Sequence, residues 1–245
     1  MRKIYLLPNF VTTINMFCGF YSVVASIQGD FVLAAWAVVA AGVFDMLDGR
    51  IARLAKATSS FGVEYDSLSD LVSFGMAPGV LVYLWALKPY GRLGWLAAFV
   101  FLACGALRLA RFNVMTSRLP KGYFQGLPIP IAAGALSTFV IFQNALSIPR
   151  MESIMPVVLG LALGLATLMV SSIPFASFKE LNWRSRASFG YLMVGVMAMV
   201  LVAVRPEVTL FLLISAYVAL SLLWAVVMLA RGQAPLSVQA HDAKS

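Results

Sequence analysis

The chain has 245 residues, 61% of them hydrophobic and 11% charged, a balance too apolar for a soluble domain and typical of a polytopic membrane protein. Its net charge of +8 comes from basic residues scattered over short loops, with no contiguous run. That excludes a nucleic-acid patch and reads as membrane orientation and attraction to anionic lipid. The two cysteines, Cys18 and Cys104, lie in apolar segments and the one histidine, His241, in a polar tail, so neither a disulfide framework nor a thiolate or imidazole metal site is expected.

A helix needs about 20 apolar residues at ~1.5 Å each to cross a bilayer. The sequence predicts eight such spans, over residues 8–28, 31–55, 60–87, 93–115, 128–147, 153–172, 187–204 and 207–230. The expected fold is an all-α integral membrane domain over 1–232, followed by a disordered polar tail over 233–245. Met1-Arg2-Lys3 before an apolar stretch imitates a signal peptide, but no small-x-small cleavage pattern follows, so the segment is read as retained. Of the 18 basic residues, all but Lys88, Arg92, Arg150 and Arg205 fall on the same side as the N-terminus. This bias predicts that both termini are cytoplasmic.

In the first span Asn9, Thr12 and Asn15 form a polar stripe over roughly 120° of the helix. Such a stripe faces a cavity or another helix.

Between the second and third spans lies the stretch DMLDGRIARLAKATSSFGVEYDSLSD, residues 45–70, which holds Asp45, Asp48, Glu64, Asp66 and Asp70, half of the chain's 10 acidic residues. Asp45 and Asp48 are three apart and Asp66 and Asp70 four apart, so each pair shares one helix face. The polar link Lys56-Ala57-Thr58-Ser59 predicts a turn. Folding back there sets Asp45 level with Asp70, Asp48 level with Asp66, and Ala52 opposite Gly62. The carboxylates then lie about 14 to 18 Å from the turn, just inside one leaflet. Four carboxylates there would repel one another and carry a desolvation cost of at least a few kcal/mol each, so a cation is required. An all-oxygen donor set favours Mg²⁺, Mn²⁺ or Ca²⁺ over zinc, and two such ions roughly 4 Å apart form a clamp for displacement at phosphorus. Glu64 does not share the face of Asp66 and Asp70.

The fourth span ends in Arg108, Arg111 and Asn113, followed by Gln125 and the run Gly126-Leu-Pro128-Ile-Pro130. Two readings of the arginines stay open: snorkelling to lipid phosphates, or binding an anion beside the carboxylates. Further on, residues 171–188 mix aromatic and basic side chains and are expected along the cytoplasmic interface. Spans six to eight read as apolar packing surface, with Gly160, Gly164, Gly190 and Gly195 at close helix contacts.

The pattern Asp45-x2-Asp48-Gly49-x2-Ala52-Arg53-x8-Gly62-x3-Asp66-x3-Asp70 resembles the complete signature of the CDP-alcohol phosphatidyltransferases. The resemblance implies that the four aspartates hold two divalent ions, Mn²⁺ or Mg²⁺, and that Asp70 also serves as general base, a choice the spacing alone leaves open. It further implies that Gly49, Ala52 and Gly62 line the nucleotide, and that Arg53 contacts either a phosphate or the membrane surface. The stripe Asn9, Thr12 and Asn15, together with DSLSDLVSFGMAP, RLARFN and GLPIPIAAG, is similar to the serine-using branch of that family. Arg108, Arg111 and Asn113 become candidate serine ligands. The implied reaction moves the phosphatidyl group of CDP-diacylglycerol to L-serine and releases CMP, in the inner membrane and in a homodimer among membrane lipids. Two alternatives remain: the same chemistry on glycerol 3-phosphate or inositol phosphate, and a cation transporter.

Overall fold

The computed structural model describes residues 6–54, 59–115, 123–146, 154–176 and 188–230. Lys56, Ala57 and Thr58 of the predicted turn, the basic loop residues Arg118, Lys121, Lys179 and Arg150, and the tail lie outside the described residues.

Among the described residues eight helices run in the predicted order: α1 (Leu6–Gln28), α2 (Phe31–Leu54), α3 (Ser60–Tyr90), α4 (Arg92–Met115), α5 (Ile129–Ala145), α6 (Ile154–Val170), α7 (Ser188–Val204) and α8 (Pro206–Ala230). Helices α1 to α4 and α8 are long and apolar enough to cross a membrane, and α5 and α6 are shorter apolar helices. Large side chains such as Phe17, Phe20, Phe99 and Val226 point outward. The interior of the α1–α2 region is instead built from small residues, with Ala34, Ala35, Val38 and Ala41 of α2 buried alongside Phe74, Leu81, Phe101 and Leu136. Apolar outside and small residues inside is the pattern of helices associating in lipid, where close packing replaces the hydrophobic effect. The chain is a multi-pass membrane protein.

A tight turn joins α1 to α2. Gly29 takes φ +89 there, and Asp30 N donates to Ala25 O at 2.9 Å, closing the helix end in the left-handed manner that glycine allows. Helix α3 departs from α geometry three times, with π segments over Leu71–Met76 and Tyr83–Leu87 and a closing 3-10 turn over Lys88–Tyr90. Pro78, inside this helix, cannot donate to the preceding turn, and the wider π segment before it accommodates the ring.

One feature was not expected from the sequence: Tyr123–Gln125 (β1) and Pro174–Ala176 (β2) pair antiparallel, Phe124 opposite Phe175. This short ribbon ties the chain before α5 to the chain after α6.

Helix α1 packs along both α2 and α3, whereas direct contact between α2 and the Ser60–Asp70 arm of α3 is slight. The two aspartate-bearing arms are therefore bridged by α1, and the carboxylates face one another across a cleft.

Candidate metal centre

The antiparallel count sets the observed register. Asp70 lies near Asp45, and Asp48 near Asp66. One carboxylate oxygen from each of Asp45, Asp48 and Asp66 lies within 4.8 Å of the others. Asp70 sits beside this group. Asp48 and Asp70 are buried at 4% and 8% exposure, and Asp45 and Asp66 are half-buried.

The donor set fits a hard divalent cation. Asp48 Oδ2 and Asp66 Oδ1 are buried without a hydrogen-bond partner, and buried carboxylate oxygens lacking both donor and counter-charge carry a large cost unless a cation joins them. Bonds of about 2.1 to 2.4 Å to Mg²⁺ or Ca²⁺ span oxygens roughly 4.2 to 4.8 Å apart across one ion, so the cluster needs little or no rearrangement to close on one.

Helix α1 meets one aspartate of each arm through its polar stripe, Asp48 of α2 and Asp70 of α3. Asn15 Nδ2 donates to Asp70 Oδ1 at 3.3 Å, and the Thr12 side chain faces Asp48. Two buried serines of α3 return the contact: Ser69 Oγ donates to Thr12 O at 3.0 Å and Ser73 Oγ to Asn15 O at 2.9 Å. Gly19 makes this docking possible, since a Cβ there would lie 2.6 Å from Ser73 Cα. Asn9 reaches the start of α3, where its Oδ1 is 3.5 Å from the position a Gly62 Cβ would take. The small residue at 62 thus admits a residue of α1. Ser59 caps α3, its Oγ accepting from Gly62 N at 3.0 Å. Gly49 lies in α2, half-buried beside Asp48. Ala52 and Arg53 continue that helix, and their side chains lie outside the described residues.

The fourth helix brings its polar end to the same site. Asn113 Nδ2 donates to Ser67 Oγ at 3.0 Å, which fixes α4 against α3 one residue from Asp66. Arg108 is 7% exposed and faces Asp70 and, on α8, Tyr217, while its Nε has no partner. Arg111 is placed differently. Its guanidinium donates to Val170 O at 2.9 Å, Ser171 O at 3.2 Å and Met169 O at 3.3 Å, satisfying carbonyls that the end of α6 leaves open. Gly126, at φ +78, is needed there, because a Cβ would fall 2.9 Å from Arg111 Nη2 and onto Met169 O.

Three residues of the site escaped the sequence reading. Tyr65, whose OH is 2.9 Å from Thr13 Oγ1, and Ser67 sit inside the aspartate window, and their positions on the faces flanking Asp66 were the available signal. Tyr217, with Ser215 and Ser221 near it in an otherwise apolar span, was read as packing surface, whereas it faces Arg108. The expectation for three of the late glycines is also corrected: a Cβ at Gly160, Gly164 or Gly195 would meet nothing within 4 Å among the described residues, the surroundings of Gly190 lie outside those residues, and the closest approaches are at Gly19, Gly94, Gly105 and Gly126.

Comparison with known proteins agrees with this geometry. The chain is 39% identical over 183 residues to the CDP-diacylglycerol–serine O-phosphatidyltransferase of Helicobacter pylori, covering 75% of this chain and 77% of that protein. It is 35% identical to the Bacillus subtilis protein of the same name, over 71% of this chain and 92% of that one. It is also 35% identical to the archaetidylserine synthase of Methanothermobacter thermautotrophicus, over 69% of each. The model of the CDP-alcohol phosphatidyltransferase family matches residues 5–173, a stretch that includes all four aspartates, both arginines and Asn113. With that match and those identities, the chain belongs to the CDP-alcohol phosphatidyltransferase family.

Proposed function

We propose that the chain transfers the phosphatidyl group of CDP-diacylglycerol to the hydroxyl of L-serine, giving phosphatidylserine and CMP. The observation that carries this reading is the convergence of Asp45, Asp48 and Asp66, with Asp70 beside them, in a chain whose relatives are named for that donor and that acceptor.

Asp45, Asp48, Asp66 and Asp70 hold the divalent ions, two of Mn²⁺ or Mg²⁺. Bound there, such a pair neutralises the pyrophosphate and makes the phosphorus easier to attack. Gly49, Ala52 and Gly62 leave room for the cytidine nucleotide, Asn9, Thr12 and Asn15 line the donor's path along α1, and Arg53 reaches a phosphate. The serine hydroxyl oxygen forms the new bond to phosphorus, the bond from phosphorus to the CMP oxygen breaks, and the hydroxyl proton passes to Asp70. Two features suit Asp70 to this role: it lies beside the group of three, and Asn15 fixes one of its oxygens, leaving the other to accept. Arg108 and Asn113 bind the serine, Arg108 pairing with its carboxylate, and Arg111 adds positive charge to the same face while bracing α6. On this reading residues 1–232 form one domain in the inner membrane, the chain is a homodimer, and both termini and the site face the cytoplasm.

A cation transporter would need acidic groups at successive depths. Among the described residues, the acids outside the 45–70 window are Asp30 and Glu207, both at the opposite helix ends, which favours chemistry at one face over passage. The test is CMP release by the purified chain from CDP-diacylglycerol and serine with Mn²⁺ or Mg²⁺. Release should cease with a chelator and return when the metal is restored. Full activity in chelator would end the metal-based reading.

A further inference from the structure

At the end of the bundle away from the aspartates lies a cavity of about 660 Å³. Asp30, at its rim, is about 22 Å along α2 from Asp45. The volume falls in the range of small-molecule sites, roughly 300 to 1,000 Å³. The cavity penetrates the helix packing, because Trp85 and Gln143 line it while being only 7% and 5% exposed.

The lining has a definite chemical character. Trp36 of α2 and Trp85 of α3 contribute aromatic surface, Gln143 and Asn144 of α5 contribute amides, and Asp30 contributes the sole charge among the described residues. Among the described residues no Lys or Arg lines it; Lys88 and Arg92, at the same end of the bundle, are exposed and stand apart from the lining. An anion would meet no described cationic side chain here and would be repelled by Asp30. A purely apolar ligand would be set against a carboxylate and two amides and strip them of water. A cation with an organic shell satisfies every group: its charge pairs with Asp30 and lies against tryptophan, the best aromatic partner for a cation, and the amide oxygens accept from or face it.

The backbone gives a second, independent pointer. Of the two π segments in α3, one directly follows Asp70 and the other, Tyr83–Leu87, carries Trp85. π segments within α-helices concentrate at functional sites. The first belongs to the metal centre, and the second sets Trp85 at this cavity.

We infer that the cavity is a binding site for an organic ammonium ion, recognised by Asp30, Trp36 and Trp85. The ion is either the headgroup of an amino-lipid in the leaflet at that end or a free amine from solution. Two arms separate these sources, both on the full chain. Tetramethylammonium chloride is titrated calorimetrically against a sodium chloride control, and native mass spectrometry compares retention of phosphatidylethanolamine with phosphatidylglycerol. Saturable binding is expected in at least one arm, and the arm that binds identifies the source. Asp30→Asn and Trp36→Leu should each weaken it about tenfold, and Trp36→Phe less, since a smaller ring keeps part of the attraction. Asp30 is exposed, so Asp30→Asn should unfold at the wild-type temperature without ligand. No saturable binding in either arm, or binding unchanged in both Asp30→Asn and Trp36→Leu, would overturn the assignment.

Discussion

Gly19→Ala tests whether α1 positions the catalytic carboxylates or merely neighbours them. The new Cβ would lie 2.6 Å from Ser73 Cα and 2.9 Å from Ser73 Cβ. Because the nearest fixed atom is backbone, no rotamer change relieves the clash. Ordinary contact begins near 3.4 Å, so α1 and α3 must separate by about 0.8 Å at this point. Applied to the adjacent bond from Ser73 Oγ to Asn15 O, 2.9 Å long, that shift gives about 3.7 Å, beyond hydrogen-bonding range. Asn15 then moves away from Asp70. Overpacking of this kind costs about 1 to 3 kcal/mol, and a displacement near 1 Å in a group that orients the chemistry costs about 100-fold in rate. Gly42→Ala is the matched control, because its Cβ would meet only Phe74 Cε1 at 3.9 Å. The assay is CMP release together with the unfolding temperature in detergent. Gly19→Ala should lose both activity and stability while Gly42→Ala keeps both; if the two variants behave alike, α1 does not position Asp70.

The remaining predictions concern the charges. Asp45→Asn, Asp48→Asn, Asp66→Asn and Asp70→Asn should each lower kcat/KM at least ~100-fold, whereas Glu64→Gln, at an exposed position, should stay near wild type; full activity in Asp66→Asn would remove the two-ion scheme. Arg108→Lys should raise KM for serine more than KM for CDP-diacylglycerol, because lysine lacks the bidentate fork, and weakening of the lipid alone would assign Arg108 to the pyrophosphate. Arg111→Lys should mainly lower the unfolding temperature, since its fork serves the carbonyls of α6. In a cysteine-free background, a cysteine at Lys56 should be labelled only from the cytoplasm and one at Lys88 only from outside, and the reverse pattern would put the site in the wrong leaflet.

The aspartate register was legible because it follows from chain counting alone: two short polar intervals on either side of one turn must align when the chain folds back. The stripe of Asn9, Thr12 and Asn15 was legible for a related reason, since polar side chains in a span need polar partners, and Asp70 and Asp48 supply them for Asn15 and Thr12. The sequence could not tell which element those residues would join, so α1 bridging the two arms came only from the fold. Arg111 shows the limit more sharply. It sits one turn from Arg108 on the same helix, yet it is claimed by carbonyls 58 to 60 residues away, and no local pattern announces such a partner. The glycines fail likewise. Gly19 and Gly160 look equivalent in an apolar run, and only the neighbouring helix decides that one is crowded and the other open.

The central claim is that phosphatidyl transfer ends on serine. The most direct measurement supplies the purified chain with CDP-diacylglycerol, Mn²⁺ or Mg²⁺, and isotopically labelled serine in competition with glycerol 3-phosphate and inositol phosphate, and identifies the lipid product by mass spectrometry. Labelled phosphatidylserine should appear in step with CMP, with none formed by Asp70→Asn. Phosphatidylglycerol phosphate or phosphatidylinositol phosphate as the product, with serine left unused, would contradict it.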